Sequence, residues 1–415
     1  MSRKAVTYIP FTEEMKKDYT VLIPNMLPMH FAFISKVFRN YGIKSEVLLT
    51  QGQQIKDTGL KYCHNDTCYP AILVIGQFID AIQSGKYDPN KVALIMFQTG
   101  GGCRASNYIN LIRKAIAKAG YPHVPVISFS FSALEKHPGF KLSVPMIHRM
   151  MYGIFYADLL MLLRNQCRPY EIKVGESEAL AMSWTERLVE EMDTSRISYS
   201  KVKENYKKIL ADFSKIPRRE EKKPKVGIVG EIFVKYSPLG NNNLEDFLVS
   251  EGAEVNVPGL IDFMLYSLYN SVVDKELYGR GKATFPIKKF AYKFLTGKQS
   301  DLIRIIEENS DFEPPTHFEH TISLVQGYIG MGTKMGEGWL LTAEMLELAD
   351  KGVKNIVCTQ PFGCLPNHIC GKGMMKPLKE KNPDINIVAI DYDAGATAVN
   401  QENRIKLMLA NSNDR

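Results

Sequence analysis

The chain has 415 residues, 45% hydrophobic and 23% charged, too long for one ordinary core and too apolar for a disordered or fibrous protein. Its 52 Lys+Arg against 45 Asp+Glu leave a net charge of +7. That mildly basic balance suits an anionic ligand or an acidic protein partner, and it falls short of a nucleic-acid footprint because no basic patch interleaved with aromatics accompanies it.

The first 135 residues alternate strand and helix. Short apolar, β-branched runs predict strands at Tyr19–Pro24, Ser45–Leu49, Val92–Gln98 and Val124–Phe129. Amphipathic helices are predicted between them at His30–Asn40, Pro70–Ser84 and Ser106–Gly120, with Gly42, Gly85 and Gly120 as stop signals. This rhythm implies a parallel, doubly wound sheet. Residues 136–222 turn helical, with an apolar helix over Pro145–Leu163, charged helices within Glu176–Phe213 and a solvated linker over Pro217–Pro224.

A second α/β unit is predicted over residues 223–314. It has strands Lys225–Glu231 and Glu254–Val257, a helix Asn241–Gly252 and a basic helical insertion Val273–Thr296. Residues 315–415 form a C-terminal α/β unit with helices Trp339–Lys351, Lys372–Lys381 and Asn400–Ala410 around strands Asn355–Thr359 and Ile385–Ile390. The expected fold is therefore α/β: two or three Rossmann-like parallel-sheet domains with helical insertions, and a site at the carboxyl ends of the strands.

No apolar stretch follows Met1-Ser-Arg-Lys, and the most apolar helix candidate, Ile154 to Leu163, is short and interrupted by Asp158. Neither a signal peptide nor a membrane span is expected, and the expected location is the cytoplasm. Seven cysteines, an odd number in a reducing compartment, do not make a disulfide framework.

Three of them stand where parallel sheets place ligands. Cys68 lies in Cys63-His-Asn-Asp-Thr-Cys-Tyr-Pro70, just before a helix that Pro70 is suited to open. Cys103 lies in Gln98-Thr-Gly-Gly-Gly-Cys-Arg-Ala-Ser106, between a strand and a helix, and Cys364 lies in Gln360-Pro-Phe-Gly-Cys-Leu-Pro-Asn-His368, after a strand. Helix N-termini favour thiolates and can hydrogen-bond an anionic cluster. Gly100, Gly101 and Gly102 allow the backbone to approach a bulky inorganic core, and Arg104 adds positive charge.

These residues also allow other readings. The three glycines could cradle a phosphate, although no G-x-x-x-x-G-K-[ST] motif is present, and a structural zinc is open, although no C-x2-C pair is present. Cys63 and Cys370 could each add a ligand, whereas Cys167 and Cys358 read as core. His64 and His368 lie beside the cysteines. The loop from Gly327 to Trp339 carries five glycines and reads as a segment that wraps something, with Lys334 and Glu337 able to touch it.

The strings Asn65-Asp-Thr-Cys-Tyr-Pro70, Gly100-Gly-Gly-Cys-Arg104 and Gln360-Pro-Phe-Gly-Cys-Leu-Pro-Asn-His368 resemble the cysteine motifs of the 2-hydroxyacyl-CoA dehydratase superfamily. The resemblance is greatest to the C-terminal module of the large CoA-substrate-specific enzyme activase-related proteins. Gly230-Glu231, Met335-Gly-Glu-Gly-Trp-Leu-Leu-Thr-Ala-Glu344 and Asp391-Tyr-Asp-Ala-Gly395 are similar to that group too, so the likeness runs from about Asp18 to Leu409.

The resemblance implies one [4Fe–4S] cluster held by Cys68, Cys103 and Cys364, with a double-cubane [8Fe–9S] cluster as the alternative. It implies an ATP-hydrolysing iron–sulfur activator in trans, because the actin-like ATPase modules of the long activases do not occur in this chain. A small-molecule substrate, such as an acyl-CoA, would be dehydrated or reduced at the cluster, in a homo- or heterodimer. Arg104, Glu337 and His368 are the expected proton-handling or supporting residues. The competing expectation is a non-catalytic scaffold bearing a cluster or zinc.

Overall fold

A computed structural model describes residues 8–98, 102–129, 135–192 and 197–413; of the three expected loop glycines, Gly100 and Gly101 lie outside the described residues. The strands β1 (Thr20–Pro24), β2 (Ser45–Leu48), β3 (Val92–Phe97) and β4 (Val126–Phe129) form one parallel sheet in the order β2-β1-β3-β4. A second parallel sheet joins β5 (Lys225–Gly230), β6 (Glu254–Asn256), β7 (Asn355–Pro361) and β8 (Asn386–Tyr392) in the equivalent order β6-β5-β7-β8. The protein is thus an α/β fold of two Rossmann-like sheets flanked by helices. Residues 223–314 and 315–415 each give two strands to that second sheet, through the pairing Val226↔Asn355 to Gly230↔Thr359.

Strand side chains alternate between faces, and both faces are apolar here. Val21 and Ile23 point into one buried cluster and Leu22 into another; in the second sheet Ile356 and Val357 divide in the same way. Each cluster contains residues of both sheets, so a shared core holds the two sheets side by side.

The apolar helix of the central segment runs from Val144 to Cys167, longer than the Pro145–Leu163 expected, and Ser143 caps it by accepting from Met146 N–H. By length and composition alone it could cross a membrane, but 78% of its apolar window is buried inside the protein. Asp158, in its middle, explains why. The carboxylate lies 2.8 Å from His30 Nε2 and accepts from the N–H groups of Leu260 (2.8 Å) and Ile261 (2.9 Å). It therefore satisfies the open N-terminus of the helix Leu260–Tyr278. The expected insertion Val273–Thr296 is in fact parts of two helices, Leu260–Tyr278 and Phe285–Asn309.

Breaking this buried pair leaves His30 and two helix N–H groups unsatisfied. We expect Asp158→Ala to lower unfolding stability by about 3 kcal/mol or more, read as a shifted midpoint in urea melts. An unchanged midpoint would contradict the role.

Candidate metal centre

In each sheet the direction of winding reverses once, between β1 and β3 and between β5 and β7. Such switch points leave a crevice at the carboxyl ends of the strands. Cys103 follows β3 and Cys364 follows β7, equivalent places in the two sheets. Cys68 is the N-cap residue of the helix Tyr69–Gln83, with Pro70 in the first turn as expected. After Cys364 the chain enters a π-helical turn, Asn367–Gly371, a geometry common at functional sites.

Direct contacts bring the three cysteine loops together. Tyr69 N–H donates to the Phe362 carbonyl at 3.1 Å, and Arg104 Nη1 donates to the Asp66 carbonyl at 2.7 Å. A Cβ placed on Gly363 would lie 3.3 Å from Cys68 Cα and 3.2 Å from Arg104 Nη1. Cys68 and Cys364 are buried and Cys103 is half-buried. Tyr108, which opens the helix after Cys103, lies with its Oη 3.1 Å from Cys68 Sγ.

The glycine-rich loop covers this space. Gly102 N–H donates to Met335 Sδ at 3.1 Å. Gly336 has φ +61, and a Cβ there would sit 3.1 Å from Pro366 and 3.8 Å from Cys103 Sγ. At Gly338, φ +45, a side chain would run into the Thr333 carbonyl at 2.3 Å; that carbonyl accepts from Trp339 N–H at 2.7 Å. Only glycine fits a turn this tight. Of the two residues expected to touch a ligand from this loop, Lys334 instead pairs with Asp274. Glu337 turns inward, is buried, and accepts from Ile232 N–H at 3.0 Å.

Glu231, also buried, stands directly after β5 at the second switch point and accepts from Val234 N–H at 2.9 Å. Burial pushes its carboxyl up to about 8, assisted by the Glu337 charge, and burial raises Glu337 as well. Burial pushes the Cys68 thiol up to about 12, with the charges of Glu231 and Cys103 acting in the same direction. Cys364 is raised by burial and then by Glu337 and Glu231. Without a bound cation, Cys68 and Cys364 therefore stay neutral thiols at pH 7 and Glu231 keeps a proton. A cationic centre is what would turn these thiols into thiolates.

No family model matches this chain, and no curated protein matches it.

Among the described residues no three His, Cys, Asp or Glu side chains are grouped so as to hold a metal ion; the loops that carry Cys68, Cys103 and Cys364 meet through their main-chain and side-chain contacts. A cluster takes one thiolate at each of several irons, so its ligands need not converge on a point.

The other cysteines and the two histidines near them stand as follows. Cys63 Sγ donates to the Gly59 carbonyl at 3.0 Å at the end of its helix. Cys167 and Cys358 are core, as expected. Cys370 is buried, and its thiol is raised to about 11 by burial and by the Glu337 charge. His64 Nδ1 accepts from Asp66 N–H at 3.2 Å in an exposed turn. His368 is exposed at its ring, and Nδ1 lies 2.7 Å from both Gln360 Nε2 and the Cys364 carbonyl; it braces the Cys364 loop. Arg104 is exposed at the rim. There a cavity of about 240 Å³ is lined by His64, Asp66, Thr67, Arg104, Asn107 and Leu111. Tyr108 and Glu231 were missed as site residues. Glu231 carried a readable signal, a carboxylate immediately after a strand, whereas Tyr108 carried none.

A carboxyl raised in the folded state keeps a proton that the unfolded chain releases. Its stability contribution is then full below its ordinary value of 4.5 and is lost as pH rises toward about 8. In the metal-free protein we expect Glu231→Gln to remove a pH-dependent loss of up to ~1.4 kcal/mol per pH unit across that window. Urea melts at pH 5, 6.5 and 8 measure it, and parallel wild-type and variant curves would contradict it.

Proposed function

We propose that this chain is an iron–sulfur redox protein of the 2-hydroxyacyl-CoA dehydratase/activase-related superfamily, with Cys68, Cys103 and Cys364 as the ligands of one [4Fe–4S] cluster. The observation that supports this reading is that the three cysteine-bearing loops meet, two of them at equivalent switch points, with Gly336 of the glycine-rich loop against Cys103. Such a cluster supplies one-electron chemistry and, with three protein thiolates, an iron position open to substrate.

The chain's own residues supply the rest. Tyr108 Oη, 3.1 Å from Cys68 Sγ, is a hydrogen-bond donor to that sulfur and so a means of tuning potential. Glu231, raised to about 8, holds a proton beside the cysteines at neutral pH, and Glu337, also raised by burial, stands next to it; a substrate hydroxyl would need such a proton to leave as water. Arg104, at the rim cavity, is placed to take the anionic end of a small substrate such as an acyl thioester. His368 keeps the Cys364 loop in place. Electrons come from an ATP-hydrolysing activator in trans, and a reducing, cytoplasmic location keeps the thiols available. The reaction is the dehydration or reduction of a small molecule.

After anaerobic reconstitution we expect Cys103→Ser to lose most of its bound iron while Cys167→Ala keeps wild-type iron. Iron and acid-labile sulfide assays on both variants decide it, and equal iron in the two would remove the ligand assignment.

A further inference from the structure

The helical hairpin between Leu260–Tyr278 and Phe285–Asn309 ends in an exposed surface that is both apolar and basic. Ile287 is 73% exposed, Phe290 72%, Leu277 57% and Tyr278 52%. Around them stand Lys275, Arg280, Lys282, Lys288, Lys289 and Lys293, all exposed, and over residues 275–293 Glu276 is the one acid. Lys275 Nζ lies 3.8 Å from the centre of the Phe285 ring, so part of the charge is held against the apolar side chains. Large apolar groups ringed by cations are the composition of a binding surface rather than of solvated helix.

This tip is built onto the loop that covers the cysteines. Lys334 pairs with Asp274, and a Cβ on Gly332 would lie 2.6 Å from Tyr278 Oη and 3.3 Å from Leu277 Cδ1. Four residues farther on, Gly336 packs against Cys103. Four extended residues span at most about 14 Å, so the same short loop touches both the tip at Tyr278 and the cysteine loop at Cys103.

We propose that the hairpin tip is the docking surface for an acidic electron-delivering protein. The kind of partner rests on the redox reading above; the surface itself does not. Charge complementarity selects the occupant: an acidic partner complements the tip, whereas a two-fold contact with a second copy through this tip would bring the same cations against themselves. The apolar stripe is also too short for a lipid surface. Beyond Ile287 and Phe290 it turns inward at Phe294, which packs on His148, whereas interfacial helices carry a long continuous apolar face.

The test places a photo-crosslinking amino acid at Phe290 of the full chain, with Val174, exposed in the turn before the helix Glu176–Glu191, as control. Captured proteins are identified by mass spectrometry in the cells that make the chain. We expect one acidic electron carrier or ATP-hydrolysing iron–sulfur protein at Phe290 and none at Val174, with yield falling about tenfold in Lys288→Glu/Lys289→Glu. Capture of a second copy, of a neutral or basic protein, or of nothing above the control would overturn the proposal. So would a yield unchanged by charge reversal, or flotation of the purified protein with phosphatidylserine vesicles. An acidic partner without redox or ATPase chemistry would overturn its electron-delivering role. The crosslink needs no cluster, so Cys103→Ser should retain it. Loss of the redox reading would then appear as an iron-free wild-type chain that still crosslinks.

Discussion

The main-chain hydrogen bond from Tyr69 N–H to the carbonyl of Phe362 joins the start of a helix in the first α/β unit to the loop that leaves β7 in the second. Without that join, Cys68 and Cys364 would belong to separate crevices. With it, the two switch points open on a common space, the glycine-rich loop has something to cover, and Cys103 reaches that space through Met335 and Gly336. The shared hydrophobic core makes the join possible, because both faces of each sheet continue into the other. Several kcal/mol of burial along that core hold loops together that have little affinity of their own.

The charges beneath the site follow from the same packing. Lys235 and Glu344 form a buried pair at 2.8 Å, and Glu231, Glu337, Glu347 and Asp262 are buried near it. One lysine cannot neutralise so many carboxylates, and burial raises each of the five acids. A carboxyl kept neutral near pH 7 can hold or give a proton. The short segment Ile232–Tyr236 is central to this arrangement: its first N–H is bonded to Glu337 and its lysine to Glu344.

Most strands were legible because β-branched runs such as Val92–Phe97 carry their own signal, and each observed boundary falls within two residues of the expected one. The elements that escaped depend on partners or on single turns. The helix Gln53–Tyr62 is too polar to announce itself and forms by close approach to Tyr69–Gln83, where a Cβ on Gly59 would meet the Ile72 carbonyl at 2.2 Å. The expected helix Asn241–Gly252 is shorter, Leu244–Ser250, because Asn242 and Asn243 take left-handed conformations, φ +56 and +57. The basic insertion splits at Gly279 and Gly281, φ +63 and +72. At the site, the cysteines stood out by their place after strands and before helices. The Glu231–Glu337 neighbourhood joins residues more than a hundred positions apart, and no local pattern encodes that.

If these thiols hold an iron–sulfur cluster, the metal and the sulfide can be counted. The most direct measurement is iron and acid-labile sulfide analysis of the anaerobically reconstituted wild-type chain, with an EPR spectrum after dithionite reduction. The account predicts about four iron and four sulfide per chain and a reduced-cluster signal. A chain that retains neither iron nor sulfide and stays EPR-silent would contradict it.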